Sequence, residues 1–281
     1  MNGSLLFVPS GGLANRMRAV ASAYELCKKV DSTLQVVWFQ DWALHAPFRS
    51  IFEETPLVAV REATLTDLLI YDRARRRNLW LPALPQKIRF SRHIKEQMVT
   101  PLKQQKFDFE QWARGHRCYM SCYQVFGDVP DSTYATLFHP VREVMEVVDN
   151  NRSKFSAHTI GLHIRRTDNA ESIAKSPTSL FIDIVKRHIE LHDDTRVFLA
   201  TDSNGVKQEL CQLFGEHIIP PPTEEARRDS ISGIRGGVAD MWTLAATQII
   251  YGSAGSSFSP MAASIGGTPL EICDATRRQK D

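Results

Sequence analysis

The chain has 281 residues, a formal net charge of +2, 43% hydrophobic and 23% charged residues. That length fits one large or two ordinary α/β domains and can bury a substantial core without staples. The near-neutral charge points to neither nucleic acid nor an acidic membrane surface, and no apolar run is long enough to span a bilayer. The cysteines Cys27, Cys118, Cys122, Cys211 and Cys273 are odd in number and loosely spaced, with no second pair to complete a zinc pattern around Cys118 and Cys122. Reduced thiols, no metal and a cytoplasmic setting are therefore expected, and "MNGSLLFVPSGG" has none of the marks of a signal peptide.

A βα unit opens the chain: the apolar run Leu5–Val8, the turn "PSGG", then a helix with Met17, Ala21, Tyr24 and Cys27 on one face and Arg18, Ser22, Glu25 and Lys29 elsewhere. "TLQVVWF" (33–39) predicts the next strand, followed by a short helix near Phe48–Phe52, an apolar run at 57–60 and a strand at Cys118–Tyr123. The rest of this region lacks a clear period, and its basic run Arg73, Arg75, Arg76 and Arg77 reads as a solvated helix face or loop, with an anionic-substrate contact as the lesser alternative. Val141, Val144, Met145 and Val148 form a buried helical stripe, and the polar "DNNRSK" behind it sets a domain boundary near residue 150.

Strands and helices alternate in the second half. Strands are predicted at 159–165, 196–201, 217–220, 248–252 and 269–273. Helices are predicted from Ser176–Pro177 to Leu191, from "DSN" to Phe214, over 233–246 and from Ser259–Pro260. This pattern implies parallel sheets with helices on both faces. The expected fold is α/β, two Rossmann-like domains (1–150 and 151–281) facing a cleft. Ligands in such sheets bind beyond the carboxyl ends of the strands.

Four loops at such ends carry candidate chemistry. "SGGLANR" offers Gly11 and Gly12 for close backbone approach, then Asn15 and Arg16; it matches neither the dinucleotide fingerprint nor a Walker loop. "HIRRTD" places His163 and Arg165 on one face of a strand that should be apolar, an expensive choice unless an anion or polar ligand meets them. The competing structural reading is a salt bridge from Arg165 or Arg166 to Asp168. In "LATDSN", Asp202 ends a strand and could simply cap the next helix. In the region 234–267, Asp240 is a poor helix residue that either faces solvent or accepts paired N–H donors such as those of guanine. The "SAGSSFS" turn supplies Ser256, Ser257 and helix-start amides for phosphate oxygens, and Phe258 for a base or for the core.

These loops, in order, resemble the motifs of the fucosyltransferase superfamily that includes the α1,2-, α1,6- and protein O-fucosyltransferases. "GLHIRRTD" is similar to its H-x-R-R-x-D motif, "VFLATDS" to its second motif, "GGVADMWTLAATQIIYGSAGSSFS" to its third and "SGGLANRMRAVASA" to its N-terminal glycine motif. The resemblance implies a GT-B-like fold and inverting, metal-independent transfer from GDP-fucose, with the nucleotide in the C-terminal domain and the glycan acceptor on the N-terminal side. It implies that Arg165 binds the β-phosphate and stabilises leaving GDP, and that His163 and Asp240 meet the nucleoside. Arg166, Asp202, Ser256, Ser257 and Phe258 complete the implied donor site; Gly11, Gly12, Asn15, Arg16 and Asp41 form the acceptor side. Where the α1,6 branch has a Lys, this chain has Asn169, so the base stays open among Glu171, Asp168 and Asp41. A non-catalytic nucleotide-sugar-binding protein of the same fold is the alternative.

Overall fold

The structure, a computed structural model, describes residues 3–71, 83–167, 169–220 and 229–276. It divides into unit 1, Met1–Val141 with Arg228–Ile234, and unit 2, Arg142–Arg227 with Arg235–Asp281. The helix Arg142–Arg152, which runs into the polar "DNNRSK" stretch, thus goes with unit 2.

Unit 1 is built on β1 (Gly3–Pro9), β2 (Ser32–Trp38), β3 (Ala59–Glu62), β4 (Arg92–Ile94) and β5 (Arg117–Cys122), all parallel in the order β3-β2-β1-β5-β4. Its helices are α1 (Leu13–Lys29), α2 (Asp67–Ile70), α3 (Ala83–Arg89), α4 (Glu96–Gln104), α5 (Phe109–Ala113) and α6 (Ser132–Leu137). β1 is buried along nearly its whole length because a parallel strand between helical layers must be apolar on both sides. Helix α1 departs from the expected two-faced pattern: Arg16, Ser22 and Glu25 are buried and Tyr24 is only half-buried. The cause is that α5 and α6 cover the side that would otherwise face water. Ser22 and Glu25 have partners there, with Ser22 Oγ accepting the Phe126 N–H at 3.2 Å and Thr133 Oγ1 donating to Glu25 at 2.6 Å.

Unit 2 carries β6 (Thr159–Ile164), β7 (Arg196–Thr201), β8 (Ile249–Ser253) and β9 (Leu270–Cys273), parallel in the order β7-β6-β8-β9. Its helices, in chain order after α6, are α7 (Arg142–Arg152), α8 (Ala170–Lys175), α9 (Thr178–Leu191), α10 (Asn204–Phe214), α11 (Ile231–Ala245) and α12 (Phe258–Gly266). The core around β6 and β7 joins Ile160, Leu162, Ile164, Val197 and Leu199 to Phe181, Ile184 and Leu210 from α9 and α10. The expected strand at 217–220 is not formed: Gly215–His217 makes a 3-10 turn and Ile218 contributes only one bridge to Val197. Pro220, with no N–H to donate, follows Ile219, whose own N–H still reaches the Val197 carbonyl at 2.9 Å. The basic run expected at Arg73–Arg77 lies outside the described residues.

Candidate functional site

In unit 2 the strand order reverses between β6 and β8, so the loops leaving their carboxyl ends diverge and leave a crevice. Two of the loops singled out from the sequence begin there. They are held together by small polar side chains.

His163, near the end of β6, is 5% exposed. Its ring stacks on Phe258 with centroids 4.8 Å apart, and its Nδ1 lies 3.3 Å from Ser259 Oγ. Burial, reinforced by the charge of Arg165, pushes the imidazole down to about 3, so it is neutral at physiological pH. A neutral ring that bonds and stacks suits a nucleoside better than a phosphate. α12 can approach this closely because Gly252 on β8 has no side chain; a Cβ there would collide with Ser259.

Arg165 follows at the strand end. Its N–H donates to Ser253 Oγ at 3.1 Å, and the Ser253 hydroxyl donates to the His163 carbonyl at 3.3 Å, which clamps the end of β6 to the end of β8. The guanidinium Nε sits 3.1 Å from Asp202 Oδ2, with the two side chains 17% and 15% exposed. Asp202 also accepts the Arg166 N–H at 2.7 Å and the Thr167 hydroxyl at 2.7 Å. It therefore organises the β6 loop and does not cap α10. Ser203 takes the cap, accepting the Val206 N–H at 3.4 Å. Among the described residues Arg165 pairs with Asp202; Asp168, the partner of Arg165 or Arg166 in the competing reading and a candidate base, lies outside them.

Arg166 turns the other way. Its guanidinium donates to the Ser176 carbonyl at 2.6 Å, to Thr178 Oγ1 at 3.1 Å and to the Arg165 carbonyl at 2.8 Å. It fastens the loop to the start of α9 and is engaged by the fold.

The β8 turn is stitched to the same loop. Asn169 caps α8, accepting the Ser172 N–H at 3.1 Å, while its Nδ2 donates to the Gly255 carbonyl at 3.0 Å. Ser172 Oγ donates to the Ala254 carbonyl at 2.6 Å. Gly255 has φ +72°, and a Cβ on it would come within 2.8 Å of the Glu171 carboxylate, so Glu171 lies directly over the turn. Glu171 is exposed and pairs with Lys175 at 2.7 Å. Ser256 Oγ accepts the Phe258 N–H at 3.3 Å, and Ser257 opens α12 with no side-chain cap. His163, Arg165, Asp202, Glu171, Ser256, Ser257 and Phe258 thus converge on one strand-end crevice. Asp240, on α11, is pushed up to about 7 by burial, opposed by the charge of Lys207. No described contact ties Asp240 to the β6 and β8 loops.

The second group of sequence candidates belongs to unit 1, where the order reverses between β1 and β5. Gly11 at φ +82° makes the turn out of β1. Gly12 precedes α1 in extended conformation, and a Cβ there would meet nothing within 4 Å. Asn15 accepts from Arg18 at 2.6 Å. Arg16 corrects the sequence expectation of a residue facing the acceptor: it is 0% exposed. Its guanidinium donates to the carbonyls of Gly11 at 2.8 Å and Phe39, lies 4.9 Å over the Trp38 ring and pairs with Asp41 at 2.9 Å. A buried guanidinium needs such a set of acceptors, and their arrangement fixes it as a fold residue.

Ser253, Ser259, Asn169 and Ser172 are the positioning residues that sequence reasoning missed. Asn169 was legible in principle, because an Asn three residues before a Ser at a helix start is a cap signature. The serines carry no such signal; their partners are 82 to 96 residues distant.

No model of a known protein family matches the chain, and no curated protein matches its sequence. Comparison of the fold is informative. Two units, each on a wholly parallel sheet with its polar loops at the strand reversal, define the α/β class in which ligands sit beyond strand ends. Within that class the chain has the fold of solved fucosyltransferase structures. It is similar to the NodZ α1,6-fucosyltransferase soaked with GDP-fucose, at 17% identity and a TM-score of 0.65 over 94% of this chain and 93% of that one. It is also similar to Arabidopsis thaliana FUT1, solved as a mutant in complex with GDP, at 15% identity and a TM-score of 0.62 over 97% of this chain and 70% of that one. POFUT1 in complex with GDP-fucose matches at 11% identity and a TM-score of 0.59, over 97% of this chain and 98% of that one.

Proposed function

We propose that the chain is a glycosyltransferase of the fucosyltransferase type, with a GT-B-like fold, that transfers fucose from GDP-fucose to a glycan acceptor with inversion and without a metal ion. The observation that carries this reading is Arg165, held at the end of β6 by Ser253 and Asp202, while His163 on the same strand end contacts Phe258 and Ser259 at the start of α12. Departure of a nucleoside diphosphate needs positive charge on its oxygens. Arg165 supplies a planar fork and the start of α12 supplies oriented N–H donors. Neutral His163 and Phe258 suit the nucleoside, and Asp240 suits the paired N–H donors of guanine. The fold likeness to structures holding GDP or GDP-fucose supports this choice of donor. Unit 2 is then the donor domain and unit 1 the acceptor domain.

Inversion proceeds with a base for the acceptor hydroxyl or through a strongly dissociative transition state; for the first route a base is needed. We assign it to Glu171, which lies over the Gly255 turn. Asp41 is engaged by Arg16 and by two backbone amides. A second reading, a nucleotide-sugar-binding protein without catalysis, is favoured by one observation: Asn169, where the α1,6 branch has Lys, is occupied with capping and with the Gly255 carbonyl.

A thermal-shift panel of GDP, UDP, CMP and NAD, with and without EDTA, tests the donor. Selective stabilisation by GDP, unaffected by EDTA, is expected. Equal response to UDP, stabilisation by NAD, or loss of the GDP effect in EDTA overturns the reading. Turnover of GDP-fucose with acceptor glycans then separates transferase from binding protein: GDP binding without any turnover favours the second.

A further inference from the structure

Arg18 stands in the second turn of α1, half-buried, and makes no ion pair among the described residues. Its Nη2 donates to Asn15 Oδ1 at 2.6 Å, while its Nε is buried with no hydrogen-bond partner among the described residues. Other arginines with restricted access to water are better served. Arg16, Arg61 and Arg165 each face a carboxylate, and Arg166 is held by two carbonyls and a hydroxyl. Burial pushes the Arg18 guanidinium below its ordinary value, opposed by neighbouring Tyr134. Shielding a cation from water is costly unless an anion compensates it, and no described residue supplies one here.

The position of Arg18 suits a ligand. Side chains on a helix lean towards its N-terminus, and Arg18 reaches back to Asn15 in the first turn. That bond takes the Asn15 carbonyl oxygen and leaves its NH2 group as a donor. A Cβ on Gly11 would lie 3.2 Å from Asn15 Nδ2 and 3.6 Å from Tyr123 Cβ, so the Asn15 amide lies beside the turn that leaves β1 and the residue that follows β5. The strand order of this sheet reverses between β1 and β5, where α/β sheets open a crevice for ligands. Glu96, a carboxylate at the start of α4, accepts the Ser10 hydroxyl at 2.6 Å and does not pair with Arg18. A purely structural bond to Asn15 would need only a neutral donor, without the cost of shielding a charge.

We propose that Arg18, with the Asn15 amide beside it, recognises an oxyanion, a carboxylate or sulfate carried by the acceptor saccharide. The planar fork of a guanidinium matches the paired oxygens of either group. The inference rests on the transferase reading above for the word acceptor; the anion site itself stands on unit 1.

The test is binding of the full chain to an array of neutral oligosaccharides and their carboxylate- and sulfate-bearing counterparts, the two acidic arms telling which oxyanion is read. It compares wild type, Arg18→Gln, Arg18→Lys and, as a charge control in the same unit, Arg49→Gln, whose side chain is 67% exposed. Wild type should capture one acidic arm about tenfold better than its neutral counterparts, Arg18→Gln should capture both equally, Arg18→Lys should keep part of the preference and Arg49→Gln all of it. Arg18→Gln should also unfold at a midpoint equal to or above that of wild type, because an uncompensated charge has been removed. No acidic preference in wild type, a preference that survives in Arg18→Gln, an equal loss in Arg49→Gln, or a lowered midpoint in Arg18→Gln overturns the proposal. So does a loss of GDP affinity in Arg18→Gln, which would make the anion the donor's own phosphate. GDP titration of wild type separates the two readings. Arg18-dependent acidic preference without GDP binding removes the donor assignment alone; GDP binding without acidic preference removes this inference alone.

Discussion

Two arginines follow parallel strands near a strand reversal in this chain, and their surroundings are opposite. Arg16, in unit 1, is fully buried and satisfied by two carbonyls, a carboxylate and an indole face. Arg165, in unit 2, keeps part of its side chain accessible, and serine and aspartate groups position it at the strand mouth. Burial decides the difference. A guanidinium withdrawn from water is stable only when protein acceptors surround it, and it then belongs to the fold. One left partly accessible at a polar edge can exchange a protein partner for a ligand that brings its own negative charge, which is the role we propose for Arg165.

The comparison breaks first at Arg16. Arg16→Met should lower stability by about 3–5 kcal/mol, because Asp41 and two carbonyls lose their donor in a buried setting. Urea unfolding measures this; a variant as stable as wild type but defective in transfer would make the two arginines alike. At Arg165 the expectation reverses. Arg165→Ala should cut kcat/KM for fucose transfer by about 10²–10³-fold, roughly 2.7–4 kcal/mol of transition-state stabilisation, with an intact fold. Arg165→Lys should recover only part, since a point charge does not reproduce the planar fork. Retained turnover in Arg165→Ala removes this residue from the mechanism.

Asp240 sharpens the donor side through pH. Its folded value, about 7 against an ordinary 3.8, means that the folded state holds a proton the unfolded state releases. The stability this gives is full below about pH 4 and is lost as pH rises through 7, so Asp240→Asn should flatten that part of the stability profile. If guanine meets the ionised carboxylate, guanosine affinity should rise about tenfold, roughly 1.4 kcal/mol, between pH 6 and 8, and the Asn variant should abolish the rise. Guanosine carries no phosphate to titrate, so isothermal calorimetry with it isolates the carboxylate; a pH-independent affinity places guanine elsewhere. The smallest effect is expected at Asn169. Loss of the α8 cap in Asn169→Ala should cost about 1 kcal/mol in thermal or urea unfolding. A larger loss of transfer than of stability would show that its bond to Gly255 also sets the β8 turn.

The alternation of strands and helices in the second half was legible because each segment is long and apolar enough to show its period. The span between β2 and β5 was not. β4 is three residues, "RHI", and α2 is four, too short for any period to emerge. In the candidate site, His163, Arg165 and the serine turn were legible because polar residues at a buried strand end conflict with local packing. Ser253 and Ser259 were not, since a serine looks the same in sequence whether or not a distant strand end needs its hydroxyl. For Asp202 the sequence offers both a helix cap and a place in the donor site; the β6 loop, paired beside it, claims the carboxylate, and Ser203 takes the cap.

By itself the sequence determined the α/β class, the parallel sheets and the loops where polar groups gather. Those follow from periodicity and from the cost of placing charge on a buried strand. Only the tertiary structure decided which arginine is withdrawn and which is partly accessible, and that Asp202 organises the β6 loop instead of capping α10. Each of these depends on what neighbouring strands and helices exclude from water, and that is set by contacts between residues far apart in the chain.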